Sequence, residues 1–131
     1  MTNTATNHDS SLKDIAKAVR QAIAAEKKAG RLSSGLRVSV RCDFFAGGQA
    51  LRAEITAADF QVFTSEFSAW KADQDRDWDN IPQKFTAQAL DAIQAIDNIV
   101  NPFHRQETDW QADYCWNNFF YQGAKVDGSL V

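Results

Sequence analysis

From Leu12 onward the apolar positions recur every three or four residues. Leu12, Ile15, Ala16, Val19, Ala22 and Ile23 share one face, while Lys13, Lys17, Arg20 and Lys27 lie largely off it. That spacing predicts an amphipathic helix. Ser11 with Asp14 three residues on has the pattern of a capping box, and Gly30 is the natural stop. Past Ser33-Ser34-Gly35 the period drops to two. Leu36, Val38, Val40, Cys42 and Phe44 alternate with Arg37, Ser39, Arg41 and Asp43, and Leu51, Ala53 and Ile55 resume the alternation after Gly47-Gly48. Two strands joined by a tight turn follow. A turn centred on Gly47-Gly48 sets Phe44 opposite Leu51, Cys42 opposite Ala53 and Val40 opposite Ile55. On the other face it sets Asp43 opposite Arg52 and Arg41 opposite Glu54, opposite-charge pairs of about 0.2–1 kcal/mol each.

Thr56 and Asp59 form a second capping-box pattern, and Phe60, Phe63, Phe67 and Trp70 follow at helical spacing, predicting a helix from Ala57 to Lys71. The stretch Asp73-Gln74-Asp75-Arg76-Asp77-Trp78-Asp79 breaks the pattern and reads as an exposed loop. Pro82 suits the first turn of a third helix, whose stripe Phe85, Ala89, Ala92, Ile93, Ile96 and Val100 runs down to Asn101-Pro102. Asp113 to Lys125 reads as one or two strands pairing with the hairpin. The expected fold is therefore α+β: an N-terminal helix, an antiparallel hairpin, two further helices and C-terminal strand or strands, with the helices packed on one face of an antiparallel sheet. Residues 1–10 are expected to form a disordered arm, 11–126 a single domain and 127–131 a tail.

Composition narrows the class. The chain has 131 residues, 44% of them hydrophobic and 24% charged, which suits one domain with its own core. Two cysteines exclude a disulfide scaffold, and no apolar run approaches the ~18 residues of a membrane span. A soluble, cytoplasmic protein is expected. The formal net charge of −3 divides unevenly, with +4 on residues 1–58 and −7 on residues 59–131. A conventional nucleic-acid binder presents a basic domain, whereas the pI here is about 5.3.

The candidate chemistry is sparse. Asp73, Asp75, Asp77 and Asp79 have the spacing of a calcium loop, but that loop needs Gly at its sixth position and Glu at its twelfth. Counted from Asp73 those positions hold Trp78 and Lys84, and from Asp75 they hold Asn80 and Thr86. Cys115 with His104 is a poor nucleophile–base pair, because neighbouring carboxylates favour the protonated thiol. Cys42 faces the expected core, and no Cys42–Cys115 disulfide is expected. Gly47-Gly48 sits in a hairpin and not ahead of a helix, so it is no phosphate cradle. Trp110, Tyr114, Trp116, Phe119, Phe120 and Tyr121 are dense enough for base stacking, yet Glu107, Asp109, Asp113 and Asp127 surround them. No catalytic residue, metal or cofactor is expected. A carboxylate enzyme using Asp109 or Asp113 is the alternative among enzymes.

Two stretches carry a resemblance. SVRCDFFAGGQALRAEI, residues 39–55, and TDWQADYCWNNFFYQGAKV, residues 108–126, resemble the hairpin and the ending of a large polyvalent-protein-associated domain of phage and conjugative-element proteins. Asp113-Tyr114 and Asn118-Phe119 match elements of that ending, and the helix ahead of the hairpin fits as well. Here Ile55-Thr56-Ala57-Ala58-Asp59 stands where the family continues its second strand into Trp-Thr-Asp-Gly-Pro. The resemblance implies an α+β module of mobile-element origin and supplies no catalytic residues. It also implies a counter-defence role, as a stoichiometric inhibitor of a nucleic-acid-handling host complex such as a CRISPR effector. On that reading the partner-binding residues are Asp73, Asp75, Asp77, Trp78, Asp79, Glu107, Asp109, Trp110 and Asp113, an acidic surface entering a basic channel with tryptophan anchors. The competing expectation is direct nucleic-acid binding through Arg37, Arg41 and Arg52 with the basic face of the first helix.

Overall fold

The computed structural model describes residues 11–104, 106–109 and 114–131; the expected N-terminal arm lies outside them. Helix α1 spans Leu12–Lys28. Ser11 caps it, its hydroxyl accepting the Asp14 N–H at 3.1 Å. At the other end Gly30 takes φ +82°, a conformation that costs glycine little. The Gly30 N–H then reaches the Lys27 carbonyl (3.1 Å) and the Arg31 N–H the Glu26 carbonyl (3.0 Å), satisfying two of the last carbonyls. Glu26 and Arg31 close an ion pair of 2.6 Å over the same turn.

Strands β1 (Arg37–Phe45) and β2 (Gly48–Ala57) form the expected hairpin, in a different register. The turn is Ala46-Gly47, with Phe45 opposite Gly48, so Phe44 faces Gln49, Cys42 faces Leu51 and Val40 faces Ala53. A shift of two residues preserves the faces, and Val40, Leu51, Ala53 and Ile55 are all buried. It does not preserve the charge pairs: Arg41 stands opposite Arg52, and Glu54 opposite Ser39. Arg52 instead leans diagonally to Asp43 at 3.0 Å. The reason lies at Gly48, which has φ +150° and whose missing Cβ would sit 3.0 Å from the Phe120 ring. The glycine is consumed by that close approach inside the strand and is not free to form the turn.

The second helix begins late. β2 runs on through Thr56, whose hydroxyl donates to the Arg37 carbonyl at 3.4 Å, and Asp59 accepts a hydrogen bond from the Ser33 hydroxyl instead of capping a helix. Helix α2 is Ser65–Ala72, capped by Thr64, and helix α3 is Ala87–Val100, capped by Thr86. Pro82 therefore opens no helix. The segments before the two caps are extended and pair with each other: Phe63 bridges Phe85, the Thr64 N–H bonds the Lys84 carbonyl (3.0 Å), and the Thr86 N–H bonds the Val62 carbonyl (2.9 Å). Phe60, Phe63 and Phe85 have helical spacing on paper, but tertiary pairing of Phe63 with Phe85 overrides it.

The C-terminal strand is parallel, where an antiparallel partner was expected. β3 (Gln106–Asp109) and β4 (Tyr114–Asn117) make a separate antiparallel pair. Phe120 then bridges Ala50, and β5 (Lys125–Val126) runs parallel to Glu54–Ile55, giving a mixed sheet of order β1-β2-β5. Five steps from Phe120 to Lys125 match four from Ala50 to Glu54, and the extra residue bulges out around Gly123 at φ +92°. Asp97 of α3 holds the bulge, accepting from the Tyr121 hydroxyl (2.7 Å) and the Ala124 N–H (2.9 Å). Residues 127–131, expected as a tail, carry a 3-10 turn over Gly128–Leu130 started by the Asp127 side chain. Leu130 packs against the core.

α1 and α3 share the main core with one face of the sheet: Leu12, Ile15, Val19, Leu36, Leu51, Ile55, Ile96, Val100 and Phe119 are essentially sealed from water. Each such side chain contributes about 1.5–3 kcal/mol. Val62, Phe63, Phe67 and Ala89 form a second cluster under α2, joined to the first through Phe60, Val126 and Leu130. Among the described residues no helix is long and apolar enough to cross a membrane.

Two stability tests follow from these contacts. A Cβ at Gly35 would lie 2.5–2.6 Å from the Asp59 side chain. Gly35→Ala is expected to cost about 1–3 kcal/mol in urea denaturation, largely recovered in Gly35→Ala/Asp59→Ala. Burial first, and then the Asp97 hydrogen bond, raise the Tyr121 phenol above its ordinary value of 10.0. A raised folded value gives stability that is complete below the phenol's ordinary value and is lost as pH rises through the folded one. Denaturation midpoints should therefore drop in alkali from about pH 10 upward, less so in Tyr121→Phe. Unchanged alkaline sensitivity in Tyr121→Phe would place the loss elsewhere.

Candidate partner-binding site

The acidic loop is built on a ladder of aromatic rings. Phe85 stacks against Phe63 (5.4 Å between centroids), Phe63 against Phe67 (5.7 Å), Phe67 against Trp70 (5.5 Å) and Trp70 against Trp78 (5.1 Å, nearly perpendicular at 83°). Phe63 and Phe67 are buried, whereas Trp78 is 68% exposed. Stacked and edge-on geometry adds about 0.5–1.5 kcal/mol per pair beyond area burial, so the ladder carries order outward from the core. The Trp70 indole N–H donates to the Asp77 carbonyl at 2.8 Å, fastening the loop to the ladder.

Within the loop the carboxylates fold their own backbone. Asp73 accepts the Asp75 N–H (2.9 Å), and Asp77 accepts the Asp79 N–H (2.9 Å) and the Asn80 side-chain amide (2.7 Å). These are Asx-type turns, which Asp makes readily. The Asn80 amide, and then the Asp79 N–H, hold the Asp77 carboxyl below its ordinary value. Arg76 lies in the corner between the two indoles, its guanidinium carbon 5.5 Å from the Trp70 ring centre and 5.3 Å from that of Trp78. It gives one hydrogen bond of 3.3 Å to the Asp73 carbonyl. Lys84 sits likewise over Phe67 and Phe85, at 5.7 and 5.3 Å.

The structure brings Asp73, Asp75, Asp77, Trp78 and Asp79 together on one exposed loop. Glu107 and Asp109 stand in β3, opposite Trp116 and Tyr114; Trp110 and Asp113 lie outside the described residues. Among the described residues no cluster of three or more His, Cys, Asp and Glu side chains is arranged to hold a metal ion. Arg76, Trp70 and Asn80 were missed by the sequence reading. The signal was present as a cation between two tryptophans in the same run that was read for its carboxylates.

The basic alternative is placed as well. Arg37, Arg41 and Arg52 are exposed on the outer face of the hairpin. Only Arg52 of the three has an ion-pair partner among the described residues, Asp43, whereas two pairs were expected. Phe44 corrects another expectation: it is 56% exposed, not buried. The Cys42 thiol meets the Leu12 carbonyl of the first turn of α1 at 3.7 Å, so Phe44, two residues on, projects past the end of the helix layer. Phe45 and Phe120, also half-exposed, stack on each other at 6.0 Å. Cys42 is a free thiol.

Comparisons with protein-family models, with curated proteins and with solved structures find no match.

Asp77 offers a direct check on the loop. A depressed folded value means its contribution is present above the ordinary carboxyl value of 3.8 and is lost as pH falls through the folded one. In a carboxyl-detected NMR titration Asp77 should titrate below Asp75, and Asn80→Ala should move it upward while leaving the hairpin unchanged. An Asp77 midpoint insensitive to Asn80→Ala would mean that the amide contact is not formed in solution.

Proposed function

We propose that this protein is a binding protein without turnover, a counter-defence inhibitor that occupies the basic nucleic-acid channel of a host defence complex, such as a CRISPR effector, with its acidic loop. The single observation that carries this reading is Trp78, 68% exposed at the end of an aromatic ladder and set among four aspartates on a hydrogen-bonded loop. A large apolar ring on a preordered loop loses little conformational freedom on docking, and such rings are the residues on which interfaces most often depend. The surrounding aspartates supply the charge complementarity that speeds encounter with a lysine- and arginine-rich channel. The sequence resemblance to mobile-element domains supplies the biological setting.

Direct nucleic-acid binding is the second reading, favoured by one observation: Arg37 and Arg41 are exposed beside Arg52 on one sheet face, and neither has an ion-pair partner among the described residues. Mobility shift with plain DNA and RNA at low salt separates the two. The inhibitor reading expects no shift, together with capture of a nucleic-acid-handling complex from host lysate. That capture should be displaced by added nucleic acid and weakened at least ~10-fold by Trp78→Ala. Salt-sensitive nucleic-acid binding that is lost in Arg37→Ala/Arg41→Ala would overturn it.

A further inference from the structure

The corner between Trp70 and Trp78 is more than a staple for the loop. Two indole faces at 83°, with centroids 5.1 Å apart, receive one planar cation, and the cation in place is the chain's own Arg76. That guanidinium is incompletely satisfied. It has five N–H donors to place, yet its Nε is buried without a hydrogen-bond partner and Nη1 makes only the 3.3 Å bond to the Asp73 carbonyl. None of the four loop aspartates forms an ion pair with it among the described residues. Their recorded hydrogen bonds go to backbone N–H groups and to Asn80.

A buried guanidinium donor without a partner is costly, and a cation held by ring faces alone gains about 0.5–2 kcal/mol. The corner therefore binds its resident weakly for the geometry it offers. An arginine arriving from outside meets the same two ring faces together with loop carboxylates that Arg76 does not use. We propose that the Trp70–Trp78 corner is a guanidinium receptor, that Arg76 is its placeholder, and that a partner's arginine side chain docks by displacing Arg76. This deepens the proposed function, on which it rests, by naming the partner's chemistry: arginine and not simply positive charge. Lysine is a compact, strongly hydrated point charge and does not stack on indole faces as a planar guanidinium does.

The test uses the full chain and two short disordered peptides of equal length and charge, one with arginines and one with lysines spaced by glycine, titrated against tryptophan fluorescence. Wild-type protein should bind the arginine peptide at least ~5-fold more tightly than the lysine peptide, the ratio that about 1 kcal/mol of ring contact gives. Arg76→Ala should widen that ratio, because the placeholder is gone, and Trp78→Ala should bring it close to one. Equal affinity for the two peptides in wild type would overturn the proposal. So would an Arg76→Ala variant that strengthens both peptides alike, since removal of one positive charge explains that by itself. If Arg76→Ala disorders the loop, seen as loss of the protected Trp70 indole proton, the wild-type ratio and the Trp78→Ala result still decide. Failure here leaves the inhibitor reading intact if a defence complex is still captured. Success here with no complex captured would remove that reading and keep the receptor.

Discussion

The antiparallel bridge between Phe63 and Phe85 is the contact on which the functional half of the molecule depends. It ties the segment before α2 to the segment before α3, with backbone bonds on either side of the ring pair. It also sets the starting points of both helices, because Thr64 and Thr86 can cap only once the extended segments are aligned. From Phe63 the contacts continue through Phe67 and Trp70 to Trp78. Without that ladder the loop from Asp73 to Asp79 would be a run of like charges, which repel and remain mobile. With it, the repulsion is held in one conformation by Asx-type hydrogen bonds and by Arg76 between the indoles.

Elements specified by local physics were legible in the sequence. The stripe of α1, its Ser11 cap and its Gly30 stop are short-range features, and so is the alternation that set the faces of β1 and β2. What escaped depends on residues distant in sequence. The hairpin turn fell one residue early because Gly48 is held against Phe120. Thr56-Ala57-Ala58-Asp59 resembles a cap, yet Asp59 is claimed by Ser33 from the turn after α1. The parallel direction of β5 follows from where α3 delivers the chain and from Asp97 gripping the bulge at Tyr121 and Ala124. None of these partners is within reach of a local pattern. The candidate site shows the same division: its carboxylates could be read from spacing, but the corner around Arg76 exists only once α2 turns Trp70 towards Trp78.

Two charged surfaces on one small domain raise the question of which is built for binding, and magnitudes decide it. An exposed charge pair contributes about 0–1 kcal/mol and is screened beyond about 8 Å at physiological salt. Arg37, Arg41 and Arg52 lie on a flat strand face, and Asp43 already engages the last of them. The aromatic rings near that face, Phe45 and Phe120, are stacked on each other, which reduces the ring surface left for a base. Trp78, by contrast, keeps 68% of its surface open while its neighbours hold it in place. An interface residue of that kind is worth about 2 kcal/mol or more when buried by a partner, as much as several exposed ion pairs. Charge on the loop then selects what approaches, and the indole corner determines what stays. The ordering of the loop matters for the same reason. Each side chain already fixed before docking spares about 0.5–1.5 kcal/mol that a floppy acidic tail would lose on binding, and that saving separates a specific inhibitor from a general polyanion.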